Sequence, residues 1–140
     1  MAMSSLRFRP LARQALANAV GVDAPTDTKI TDGFNVLNDR LIAALQRLFG
    51  ADPTRALVVR SQQLAERDYA FLHAILKHEN GHLHAGLAGQ SLSADELMAA
   101  LSAVLAHEID LLTALVGEDL VMPLVSRAWP AVTASDRPSH

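Results

Sequence analysis

SADELMAALSAVLAHEIDLLTALVG, residues 93–117, is the stretch whose reading decides the fold. Ser93-Ala94-Asp95-Glu96 reads as a capping box, in which the serine hydroxyl and the glutamate three residues on satisfy each other's backbone N–H. Gly117 supplies the stop. Between them Leu97, Leu101, Leu105, Leu112 and Leu115 recur at helical spacing and carry an apolar face. The run from Leu97 to Val116 is the most apolar in the chain and approaches membrane-spanning length. His107, Glu108 and Asp110 interrupt it, however, and an aspartate near the centre of a span costs roughly 2.5–3.5 kcal/mol. A central helix buried in a bundle is therefore expected, rather than a membrane span.

Working outward, the same period appears upstream. Pro10 can occupy the first turn of a helix running to about Val20, with Gly21 as its stop. Val22 to Thr28 is a polar connector. A second helix is expected from Thr31 or Asp32 to Phe49, with Phe34, Leu37, Leu41, Leu45 and Leu48 as its stripe and Gly50 as its end. Asp52-Pro53 restarts the chain as a cap followed by a first-turn proline. The third helix is expected to reach about His78, on a stripe of Leu57, Leu64, Phe71, Leu72 and Ile75. A short last helix runs from Asp119 to Ala128 and stops at Trp129-Pro130. No stretch shows the two-residue period of a half-buried strand. The expected fold is all-α: a single-domain bundle of four main helices plus a short C-terminal helix over residues 1–130, with 131–140 as a disordered tail.

Composition agrees. The chain has 140 residues, 50% apolar and 19% charged, enough to bury a core without staples. Aromatics are only 4%, so leucine, alanine and valine must supply the packing, a palette that suits helix against helix. A net charge of −3 offers no basic excess for a phosphate backbone, and no nucleic-acid partner is expected. The absence of cysteine removes disulfides, thiolate metal sites and cysteine nucleophiles, and is compatible with the reducing cytoplasm expected here. Arg7, Arg9 and Arg13 among Ser and Ala have the composition of an organellar transit peptide, but an ordinary basic start leading into a first helix is the reading preferred.

Each long helix also points one polar side chain toward the expected core. Glu108 lies about 20° from the centre of the apolar arc of its helix, Asp68 falls inside the arc of the third helix, and Asn38 sits among Phe34, Leu41, Ile42 and Leu45. Antiparallel packing brings Asn38 and Glu108 to nearly one level, with Asp68 a turn away. A buried carboxylate without a partner costs several kcal/mol or takes up a proton. The expectation is a hydrogen-bonded cluster of Asn38, Asp68 and Glu108, with Arg60 or Arg67 as counter-ion. Such a cluster either fixes helix register or lines a small-molecule pocket between helices.

One short string has a chemistry of its own. His78-Glu79-Asn80-Gly81-His82 spells H-E-x-x-H, which on a helix sets two imidazoles on one face to share a zinc ion, with the glutamate as general base. Over these five residues the chain resembles the zincin metalloproteases. That resemblance implies a zinc-dependent hydrolase with His78 and His82 as ligands, Glu79 as base, and a third ligand from elsewhere, for which His107 and Glu108 are the candidates. The motif needs uninterrupted helix through both histidines, whereas Asn80-Gly81 and the glycines at 86 and 89 mark a helix end and a loop. His73-Ala74-Ile75-Leu76-Lys77 approaches the histidine-phosphotransfer motif but is one residue too long and lacks its glycine. No nucleophile elbow, phosphate loop or dinucleotide fingerprint occurs.

With no complete catalytic set, the leading expectation is a non-enzymatic interaction or regulatory module without a cofactor, acting through protein contacts as a homodimer or with a protein partner. Val121, Leu124, Val125 and Trp129 are the expected contact surface, tryptophan being enriched at interface hot spots; the alternative is that Trp129 caps the base of the bundle. The alternatives are the zinc hydrolase, with zinc as cofactor, and a small-molecule sensor built on the inter-helix polar cluster.

Overall fold

The computed structural model describes residues 8–21, 26–79, 82–86 and 92–129. The side chains of Glu79 and His82, and the expected tail at 131–140, lie outside the described residues. The order of elements is α1 (Arg9–Val20), α2 (Asp27–Phe49), α3 (Ala51–Glu66), α4 (Leu72–Ile75), β1 (Leu76–Glu79), β2 (His82–Ala85), α5 (Ala94–Val116) and α6 (Glu118–Ala128). The protein is a single, predominantly all-α domain with one small two-stranded sheet among the described residues.

α5 is the axis of the bundle. It is long and apolar enough to cross a membrane by length and composition, yet every residue from Leu101 to Ile109 is buried against the rest of the chain. A helix apolar on all sides must be enclosed, and α1, α2, α3 and α6 all pack against this one. Ala100, Ser102, Ala103 and Ala106 are small enough to let those neighbours approach. The capping box forms as expected: the Ser93 hydroxyl accepts from the Glu96 amide at 3.1 Å, and the Glu96 carboxylate accepts from the Ser93 amide at 3.4 Å.

α2 starts earlier than the periodicity implied. Thr26 is the N-cap, its hydroxyl accepting from the Lys29 amide at 3.2 Å, and Asp27 favours the positive end of the helix. Gly33 lies where α1 meets α2, and a Cβ there would stand 3.2 Å from Val20 Cγ2. Gly50 and Gly117 end α2 and α5 with φ of 88° and 89°, a region L-residues with side chains seldom adopt. Each turn lets the next helix start at once.

Two expectations are corrected. α3 does not run on to His78: it ends at Glu66, and residues 67–71 form a turn before α4. No glycine or proline marks the break. It is held by tertiary contacts, with Arg9 hydrogen-bonded to the Tyr69 hydroxyl and Tyr69 packed edge-on to Phe71 at 6.2 Å. Strand structure is also present, since β1 and β2 pair antiparallel with Leu76 opposite Ala85 and His78 opposite Leu83. Four-residue strands are too short to show a period, although Asn-Gly between two such segments is a strong hairpin signal.

The apolar stripes of α2 and α5 run past the buried core. Leu48 and Leu115, placed on the core stripes, are 65% and 74% exposed. Both sit in the last turn of their helix, at the end of the bundle.

Candidate functional site

The expected polar cluster divides in two. Asn38 and Glu108 are buried as anticipated, at 0% and 1% exposure, whereas Arg60, Arg67 and Asp68 lie on the surface. Because α3 stops at Glu66, residues 67 and 68 belong to the turn and leave the helix face that would aim them inward. Arg67 and Asp68 bear instead on His107. Burial holds that imidazole below its usual pKa, Asp110 and Asp68 raise it, and Arg9 and Arg67 lower it.

Glu108 is left without a counter-ion. Neither carboxylate oxygen has a hydrogen-bond partner among the described residues, and burial pushes its pKa well above the usual carboxylate range. Leu45, Leu57 and Leu112 line one cavity, so α2 and α5 run parallel to each other and antiparallel to α3. One turn deeper on each helix lie Leu41, Ser61 and Glu108. The Ser61 hydroxyl donates to the Leu57 carbonyl at 2.8 Å. Two further buried acceptors, Asn38 Oδ1 and Ser102 Oγ, are also unpartnered among the described residues. The core thus holds a carboxyl that burial favours in its neutral form, together with spare acceptors. The cavity at this end, about 160 Å³, is lined by Leu45, Phe49, Pro53, Thr54, Leu57, Leu112, Leu115 and Val116, not by the expected polar residues.

Asn38 serves another purpose. Its amide donates to the Leu83 carbonyl of β2 at 3.0 Å. One turn earlier, Asn35 accepts from the Ala85 amide at 2.7 Å and donates to the Ala85 carbonyl at 3.1 Å. Asp39 stands 3.5 Å from His84. The edge of β2 that β1 does not occupy is therefore satisfied by side chains of α2, which holds the hairpin on the bundle without a third strand. Asn35, Asp39 and His84 escaped the sequence reading. An Asn-x-x-Asn spacing on a helix face was the available signal.

The H-E-x-x-H string lies in this hairpin. His78 and Glu79 end β1 and His82 begins β2, so extended backbone replaces the helical turn that would set the two histidines on one face. His78 Nε2 is 2.5 Å from Gln62 Oε1. Among the described residues no group of three metal-ligating side chains converges.

The expected contact surface is also corrected. Val121, Leu124, Val125 and Trp129 are buried, and the Trp129 indole donates to the Leu37 carbonyl at 3.0 Å. They dock α6 on α2 and α5. Among the described residues the exposed large apolar side chains are Val36, near the α1–α2 contact, and Leu48, Phe49, Leu115 and Leu120. Phe49 and Leu115 share the small cavity, and Leu48 and Leu120 share a groove between α2 and α6. The last four gather at the end of the bundle where α2 and α5 finish and α6 begins. Arg47, which lines the groove with Leu48 and Leu120, and Asp119, next to Leu120 in the chain, are both exposed. Neither has an ion-pair partner among the described residues.

Searches of family models, of curated proteins and of solved structures give no match to this chain.

Proposed function

We propose that the protein works through protein contacts and pairs with a second copy of itself through the end of the bundle. The observation that carries this is the gathering of Leu48, Phe49, Leu115 and Leu120 at one place, in a chain whose other large apolar side chains are mostly buried. Exposed apolar side chains gathered in this way mark a contact site. A second copy fits because this end of the bundle carries both signs. Under two-fold symmetry the same patch faces itself, so Arg47 of one copy can meet Asp119 of the other.

A charge-swap series tests this. Arg47→Glu and Asp119→Arg should each weaken self-association in sedimentation experiments, by like-charge contact across the axis. The double variant should restore it. Single variants that self-associate as the wild type does would remove the two-fold pairing.

A further inference from the structure

The groove between α2 and α6 extends beyond the apolar end, and its lining changes character along the way. α2 contributes Arg40, Ala43, Ala44, Arg47 and Leu48, and α6 contributes Leu120, Leu124 and Arg127. The α2 residues follow the i, i+3, i+4, i+7, i+8 spacing of a single helix face, so the groove follows two full turns. The helices are antiparallel here, because Leu120 neighbours Leu48 at one end and Trp129 bonds to Leu37 at the other. Arg40 and Arg127 therefore stand together at the end away from the apolar patch. Arg47 lies about 10 Å along from Arg40, at 1.5 Å per residue.

Three guanidinium groups line this groove and no acid does, in a chain of net charge −3. None of the three has an ion-pair partner among the described residues. Ala43 and Ala44 keep the floor low, so that another backbone can come close. The groove, of about 630 Å³, is concave between two helices. A bilayer surface is met by a convex apolar face instead.

We infer that this groove receives an acidic amphipathic helix from a partner protein. The leucine stripe of that helix would lie on Ala43, Ala44, Leu48, Leu120 and Leu124, and carboxylates two turns apart would meet Arg40 and Arg47, with Arg127 closing from the opposite wall. The inference rests on the reading of the protein as a contact module; the groove shares Arg47, Leu48 and Leu120 with the self-contact, so helix and second copy compete there, and it adds Arg40 and Arg127.

The test is fluorescence anisotropy with a labelled synthetic 15-residue helix carrying a leucine stripe flanked by glutamates, beside a counterpart flanked by lysines. The acidic peptide should bind at least tenfold more tightly than the lysine one, and weaken when salt is raised. Arg40→Glu combined with Arg127→Glu should abolish the preference, with the milder Arg40→Gln, Arg127→Gln pair reducing it and circular dichroism checking the fold. Equal binding of the two peptides, or a preference unchanged in both variants, overturns the inference. So does binding of phosphatidylserine vesicles without binding of the acidic peptide, which would make the groove a membrane-facing site. Sedimentation of the same proteins reads self-association separately, because Arg40 and Arg127 lie away from Leu115: a wild type that self-associates but does not prefer the acidic peptide counts against the groove alone.

Discussion

Asn35 closes a two-bond ring with the peptide group of Ala85, accepting from its amide at 2.7 Å and donating to its carbonyl at 3.1 Å. A helix side chain here does what a neighbouring strand would do for an edge. The carboxamide suits the task because it carries a donor and an acceptor side by side.

Asn35→Ala should therefore leave the Ala85 amide buried and unpaired, at a cost of about 1–3 kcal/mol. Asn35→Asp keeps the acceptor but sets a carboxylate against the Ala85 carbonyl, and should be no better. Urea unfolding measures the loss, and amide exchange at Ala85 locates it. Exchange at Ala85 as slow as in the wild type would show that the hairpin does not depend on this clamp.

Glu108 gives stability a pH dependence whose sign is set by its raised pKa. The unfolded chain gives up this proton near pH 4.3, while the folded chain keeps it to higher pH. Stability from this group is present below the unfolded pKa and is lost as pH rises toward the folded pKa, by up to about 1.4 kcal/mol per pH unit. His107 works in the opposite direction. Its lowered pKa means that stability falls as pH drops below about 6.5. Glu108→Gln should flatten the fall in melting temperature that begins as pH rises above about 4.3; an unchanged slope would mean that Glu108 ionises freely in the fold.

Trp129 is the only tryptophan and is 1% exposed, so its emission should be blue-shifted in the folded protein and move red on unfolding. Trp129→Ala should cost about 3–5 kcal/mol through the cavity it leaves and the lost bond to Leu37. A red-shifted native emission would place the indole in solvent and return it to the contact surface.

Zinc added to metal-free protein should bind no more tightly to the wild type than to His78→Ala. His78 and His82 lie on extended strands rather than one turn apart on a helix. Sub-micromolar binding at one site, abolished in the variant, would reinstate a metal centre.

Much of the bundle was legible because long helices repeat their signals. The Ser93 capping box, the glycine stops at 50 and 117 and the leucine spacing of α5 all agree. The end of α3 was not legible, because the turn at 67–71 is held by Tyr69 meeting Arg9 from the other end of the chain. The hairpin was hidden by its length, and the Asn80-Gly81 pair read as a helix end served equally as a connector between strands. Periodicity placed Asn38 and Glu108 inside. It could not choose their partners, since those depend on where α3 stops and on the hairpin that comes after it. Leu48 and Leu115 show the same limit from the other side: a helical stripe states which face is apolar, not how far along it the neighbours extend.

Sedimentation equilibrium of the wild type beside Leu115→Glu tests the central claim most directly. The account predicts a dimer at micromolar concentration for the wild type and a monomer of unchanged helicity for the variant, since a carboxylate in that patch cannot be buried against its copy. A wild type that stays monomeric at high concentration, or a variant that associates as well as the wild type, would contradict it.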